Sequence, residues 1–206
     1  MKKRIEKSAG APLTSEEFFD ILRHRTSRTA RRLDKALLAG SGRKLTVLMA
    51  DSSGFTKKTH QFGILHFLAT MTRAYDRLIP ILEASEGICI SHNADNILGI
   101  FEKPDAAVKA AIAMNRHLKR HNRSLAPKDR FNICIGINTG DVIRLADNVY
   151  GDPVNIAAKI GEDLAGKDEI LVTRVVHEAL GNRFKSQYDR ATEIGGRIIE
   201  LFQIDY

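Results

Sequence analysis

The apolar run KLTVLMA at 44–50 stops at Asp51, passes through SSGFT, and gives way to a segment of different period. Short, apolar and ended by a polar-Gly turn, the run reads as a buried strand. Residues 57–85 then place Ile64, Leu65, Phe67, Leu68, Met71, Leu78 and Leu82 at helical spacing, and Gly87 closes that element. ICIS and NILGIF predict two short strands around the tip HNAD. PDAAVKAAIAMNRHLKRHN opens on Pro104 and is rich in alanine, which predicts a helix. FNICIGINTG reads as a buried strand ending in a turn, DVIRLAD as a further strand, and GDPVNIAAKIGEDLAG as helical from Pro153. EILVT, VVHEALG, RFKSQYD and RIIELFQID complete the chain. The order is βαββαβ with further α and β units. This predicts one mixed α/β (α+β) domain with a ferredoxin-like core, its sheet made partly from hairpins.

The charge is unevenly placed. Residues 1–44 hold twelve Lys/Arg and five Asp/Glu, the whole formal excess of +7, and residues 45–206 hold twenty of each. The globular part lacks the basic bias of a nucleic-acid binder, so no nucleic-acid partner is expected. We divide the chain into a basic tail and helix over 1–43 and a globular domain over 44–206. Residues 1–13 read as a disordered tail. TSEE at 14–17 is a capping box and starts a helix that runs to Gly40 with a solvated basic face, the alternatives for that face being a dimer contact, a tether to an acidic surface or a weak nucleic-acid contact. No apolar stretch approaches the ~20 residues of a membrane span. Cys89 and Cys134 lie in strand-like runs and read as reduced core residues, which with the absent signal segment predicts a cytoplasmic protein. Neither CxxC nor HExxH occurs.

Two aspartates fall at predicted strand ends: Asp51, and Asp95 beside the hairpin tip. A first strand lying beside the hairpin brings them together. Adjacent carboxylates repel unless a proton or cation sits between them. Magnesium suits such a pair, since it takes oxygen ligands and leaves positions for phosphate and water. SSGFT supplies small residues and free amides before a helix, a natural phosphate site. His92 and Asn93 read as turn residues. Asp141 and Asp147 read as turn residues flanking a strand. His60, His66, His117, His121 and His177 read as surface or satisfied side chains, and EDLAGKDE as a helix end and solvated loop.

LTVLMADSSGFT resembles the first metal motif of the class III nucleotidyl cyclases, the adenylyl and guanylyl cyclase catalytic domains. GICISHNADNILGIF resembles their hairpin, and NICIGINTGDVIRLADNVYGDPVNIAAKI their paired strands and following helix. GKDEILVTRVV resembles the next segment, so the likeness covers about residues 44–204. It implies a class III cyclase-type fold. It also implies cyclisation of a nucleoside triphosphate to a 3′,5′-cyclic nucleotide and pyrophosphate, with two divalent cations, Mg²⁺ or Mn²⁺. The implied site lies between the subunits of a head-to-tail homodimer. Asp51 and Asp95 match the metal ligands, and the Ser52 carbonyl a further metal contact. Gly54, Phe55 and Thr56 match the phosphate turn. Asn155 matches the residue that orients the ribose, and Lys159 stands where the family usually has a transition-state arginine.

The base-reading positions depart from the family. Ser91 and Asn148 replace the lysine and aspartate of adenylyl cyclases and the glutamate and cysteine of guanylyl cyclases. Gly195 stands where a phosphate-binding lysine is common, with Arg197 two residues on as a substitute. Lysine at 159 keeps the charge of arginine but loses its bidentate fork. ATP is the default substrate from family frequency. The alternatives are a cyclase for a pyrimidine or guanine nucleotide, and a catalytically silent nucleotide-binding or regulatory module.

Overall fold

The apolar run becomes the middle of a sheet. In the computed structural model, which describes residues 12–92 and 95–206, β1 spans Gly42–Ser52 and lies between two antiparallel partners. These are β3 (Asn96–Phe101) and β4 (Ile133–Arg144). Side chains of β1 alternate between faces, as strand geometry requires. Leu48 and Ala50 enter a core with Phe67, Tyr75, Leu78 and Met114, while Leu45, Val47 and Met49 enter another with Val142, Val149 and Ala157. Apolar burial on both faces explains why the run shows no polar alternation. Lys44 opens the run exposed, and the polar residue inside it, Thr46, is fully buried and shares a 2.7 Å hydrogen bond with the Thr139 hydroxyl across the ladder.

The full order places β2 (Ile88–Ser91) outside β3 and β6 (Ile170–Thr173) beside β4. Next come β8 (Arg197–Ile204) and the edge strand β7 (Ser186–Ile194). The short β5 (Val149–Tyr150) pairs with the far end of β4. Every pairing is antiparallel except β4 with β6. This is the expected mixed sheet on a βαββαβ core.

Helices α1 (Ser15–Leu22) and α2 (Ala30–Ser41) precede β1. On one face of the sheet lie α4 (Ile64–Ala84), α5 (Pro104–Asn122) and α7 (Arg174–Leu180). On the other lies α6 (Asp152–Lys159), continued by a π-wound turn over Ile160–Leu164. The short α3 (Phe55–Phe62) links β1 to α4. Among the described residues, no helix is long and apolar enough to cross a membrane.

Several expectations are corrected. The single helix over 14–40 is two helices, although its capping box at Thr14 and Glu17 is present as expected. The break falls in RHRTSRT, where the Thr29 hydroxyl takes the Thr26 N–H at 2.9 Å and donates to the His24 carbonyl at 3.0 Å. Such short side chains compete with the helix for backbone groups. The periodic stretch 57–85 is likewise divided, by Gly63 at φ +85°. The turn expected after FNICIGINTG is absent. Thr139 and Gly140 run straight through β4, and Asp141 pairs with Lys44 inside the ladder. Gly140 is there to admit Pro153, whose Cγ would lie 2.8 Å from a Cβ. The expectations for residues 1–11 of the tail and for Asn93 lie outside the described residues.

Backbone contact seats α6. A Cβ on Gly136 would collide with the Ala157 carbonyl, and one on Gly161 would lie 2.8 Å from the Met49 carbonyl. Backbone cannot yield as a flexible side chain can. Gly136→Ala should therefore destabilise the fold by about 3 kcal/mol, the upper end for overpacking. Urea denaturation measures this, and a midpoint equal to wild type would contradict so close a contact.

Candidate active site

Asp51 occupies the second-last position of β1, opposite Asn96 on one side and Cys134 on the other. Asp95 immediately precedes β3. The ladder continues past the strand end: Ser52 N–H donates to the Asp95 carbonyl at 3.0 Å, and the Ser52 hydroxyl donates to Asp95 Oδ2 at 3.0 Å. Strand pairing thus brings together the two carboxylates with Ser52 between them. Burial, then Asp95, then Glu162 push the Asp51 carboxyl up to about 7, with a smaller contribution from Asp163 and an opposing one from the Ser52 backbone. Both burial and neighbouring carboxylates disfavour the charged form.

Glu162 and Asp163 belong to the stretch expected to be a solvated loop. Instead the π-wound turn carries them toward Asp51, and Asn96 Nδ2 donates to Glu162 Oε1 at 3.3 Å. Lys159 spends its charge on Asp163, with Nζ 2.5 Å from Oδ2. Among the described residues, no group of three or more His, Cys, Asp or Glu side chains has metal-holding geometry. The donor set is therefore two carboxylates with backbone, water and ligand oxygens to complete it. That is the chemistry of a hard divalent cation with a phosphate ligand, so Asp51 and Asp95 fit the implied metals.

Beside the pair, Gly54 adopts φ +83° and starts α3 without any side-chain cap. The left-handed conformation is the reason for glycine here. Ser53 N–H is tied to the Asn132 carbonyl at 2.9 Å, and the Phe55 ring packs edge-on against Phe67 with centroids 4.8 Å apart. These contacts hold the Gly54–Thr56 turn, with its amides open, next to Asp51.

The other expected residues lie apart. Ser91 ends β2, paired with Leu98, which itself pairs with Met49 of β1. Asn148 lies beyond the opposite end of β4. From Cys134, opposite Asp51, to Arg144, opposite Val149, is ten residues, about 30 Å of strand. The Asn148 amide works within its own hairpin, donating to the Tyr150 hydroxyl at 3.0 Å and accepting from Val149 N–H at 2.8 Å. Asn155 and Lys159 share the exposed face of α6, one turn apart. Arg197 pairs with Asp152 at the start of that helix. Gly195 and Gly196 have φ +58° and +76°, as the tight β7–β8 turn needs, so a lysine at 195 would be strained.

Residues 39–205 match the family model of the adenylate and guanylate cyclase catalytic domain. The chain belongs to that family. The cyclase domain is 30% identical over 140 residues to the serine/threonine-protein kinase pkn2 of Myxococcus xanthus. It is 28% identical over 142 residues to putative adenylate cyclase 3 of Rhizobium meliloti. These alignments cover 66% and 68% of the chain but only 16% and 24% of those proteins. Its fold is similar to that of the adenylyl cyclase CyaB from P. aeruginosa, with TM-score 0.70, 20% identity and coverage of 80% and 95% of the two chains. An adenylate/guanylate cyclase/hydrolase from Silicibacter pomeroyi gives TM-score 0.69, 23% identity and coverage of 79% and 96%.

Sequence reasoning missed one further residue of this cyclase domain. Tyr75 is buried on α4, and its hydroxyl finds no hydrogen-bond partner among the described residues. Burial, then Asp95 and Asp51, raise it far above the ordinary phenol range. Its place one helical turn after Met71 gives no sign of this field. For Glu162 and Asp163 a signal existed: they follow Lys159 at helical spacing.

The raised Asp51 has a thermodynamic consequence. The folded cyclase domain keeps a proton that the unfolded chain releases near pH 4, so stability falls as pH rises from about 4 to about 7. Asp51→Asn should melt higher than wild type above pH 7, with the gap closing toward pH 4. Mn²⁺ at pH 8 should raise the melting temperature of wild type and not of Asp51→Asn. Equal metal stabilisation of both proteins would remove Asp51 from the metal site.

Proposed function

We propose that this domain is a nucleotidyl cyclase acting on a nucleoside triphosphate, ATP by default, to yield 3′,5′-cyclic nucleotide and pyrophosphate. The observation that carries the reading is the Asp51–Asp95 pair, joined across β1 and β3 beside the open Gly54 turn. In the reaction the ribose 3′-oxygen attacks the α-phosphorus, and the bond from that phosphorus to the bridging oxygen breaks. Two divalent cations, when bound, neutralise phosphate charge and favour the deprotonated hydroxyl.

The chain's own residues supply the rest. Asp51, Asp95 and the Ser52 carbonyl hold the cations. Gly54, Phe55 and Thr56 present backbone amides to the phosphates. Asn155 orients the ribose, and Lys159 answers the charge that develops on the phosphoryl oxygens. Arg197 takes the pyrophosphate end, while Ser91 and Asn148 face the base. Their hydrogen bonds tolerate more than one base, since Asn offers both donor and acceptor. The ~30 Å of strand between Asp51 and the Asn148 hairpin supports a site completed by a second copy. We therefore assign a head-to-tail homodimer, each site taking its metals from one subunit and its base-reading groups from the other. The Lys159–Asp163 pair and the internally bonded Asn148 amide favour a second reading, a silent nucleotide-binding module.

Incubation of the protein with Mn²⁺ or Mg²⁺ and ATP, GTP, CTP or UTP separately tests the reaction. Cyclic product and pyrophosphate from at least one nucleotide are expected, and none from any of the four would leave the silent module. Asp51→Ala or Asp95→Ala should abolish product, and Lys159→Ala should slow it by about two orders of magnitude. Mixing Asp51→Ala with Asn155→Ala tests the dimer. Random pairing should restore about a quarter of the wild-type rate, since half the pairs are mixed and each keeps one intact site. No recovery would contradict the shared site.

A further inference from the structure

The outer half of α5 carries a second constellation that the cyclase reading does not use. Together with Ile81 of α4, residues 183–185 and the Asp205–Tyr206 end, it surrounds a cavity of about 700 Å³. None of the residues assigned above to cations or nucleotide lines it. Six of its lining side chains are Lys109, Arg116, His117, Arg120, Arg183 and Lys185, and among the described residues its one acidic side chain is Asp205.

These cations are poorly compensated. Lys109 and Arg183 share Asp105, at 3.5 and 3.7 Å. Arg116, Arg120 and Lys185 have no ion-pair partner among the described residues. Tyr206, which lines the cavity, carries the Lys119 ammonium 4.3 Å from its ring centre. His117 reports the same field. Expected to be a satisfied or surface residue, it instead has an Nε2 that is shielded from solvent and unpartnered among the described residues. Burial first, then His121, Arg120 and Arg77, lower its pKa.

The cavity also has an apolar side formed by Ile81, Ile112, Ala113 and Phe184. Its volume is that of a small organic ligand. Arg116 and Arg120 are one helical turn apart and both line the cavity, and guanidinium groups suit phosphoryl oxygens. We propose that this cavity is a second ligand site, distinct from the cyclase centre, that binds a small organic phosphate. The phosphoryl group sits between Arg116 and Arg120, and the ring or chain of the ligand lies against Ile112, Ala113 and Phe184. The inference does not depend on the cyclase reading.

Titration of the full chain with phenyl phosphate in EDTA, followed by calorimetry and by the imidazole proton signals of His117, provides the test. Saturable binding with a shift of the His117 signals is expected, and inorganic phosphate should bind several-fold more weakly for want of the apolar contact. The double variant Arg116→Ala, Arg120→Ala should weaken phenyl phosphate by more than about tenfold while melting near wild type. Asp51→Asn should bind as wild type does. No saturable binding, binding without a His117 shift, or undiminished binding by the double variant would each overturn the proposal. A vesicle arm distinguishes the source of the phosphate. Co-sedimentation with phosphatidic acid vesicles that the double variant loses, in a chain that ignores phenyl phosphate, would overturn it in favour of a membrane surface.

Discussion

Everything at the acidic centre depends on the register of β1 between β3 and β4. A strand buried on both faces cannot slip by one residue, because Leu48 and Ala50 would exchange cores with Val47 and Met49. That constraint fixes Asp51 opposite Asn96 and Cys134, and the Ser52–Asp95 hydrogen bonds extend the same ladder by one step. The apolar energy of the strand thereby holds two carboxylates together against their repulsion. The Asp51 carboxyl is raised first by burial and then by that repulsion.

The same sheet separates as well as joins. β4 runs from the acidic end to the Asn148 hairpin, and α6 returns over it, seated by backbone contact at Gly136 and Gly161. The α1–α2 segment buries Phe18, Leu33 and Leu37 against Leu145, so the basic N-terminal region is docked on the β4–β5 corner. Ser15 adds hydrogen bonds of 2.8 Å from its N–H and its hydroxyl to Asp147. In the proposed dimer, that corner is where one subunit would serve its partner's metals.

Elements with a strong local signature were legible before folding was considered. The capping box at Thr14, the Pro104 helix start and the β2–β3 hairpin all follow from neighbours within a few residues. Errors arose where a distant contact overrode the local signal. Thr139 and Gly140 look like a turn, but Thr46 and Pro153, remote in sequence, make them strand. Glu162 and Asp163 look like a solvated helix end, and the π-wound turn redirects them. Tyr75 has the spacing of a core residue, and only the packed structure places its hydroxyl in the field of Asp95 and Asp51.

The order of strands and helices, the separate placement of charge, and the candidate aspartates beside small-residue turns were determined by the sequence alone, because hydrophobic period and turn chemistry are local properties. The tertiary structure decided which carboxylates share a field, which amides are already engaged, and where basic side chains from α5 and from the 183–185 segment ahead of β7 converge. These are matters of electrostatics through space, acting between residues up to about a hundred positions apart in sequence, and no local pattern records them.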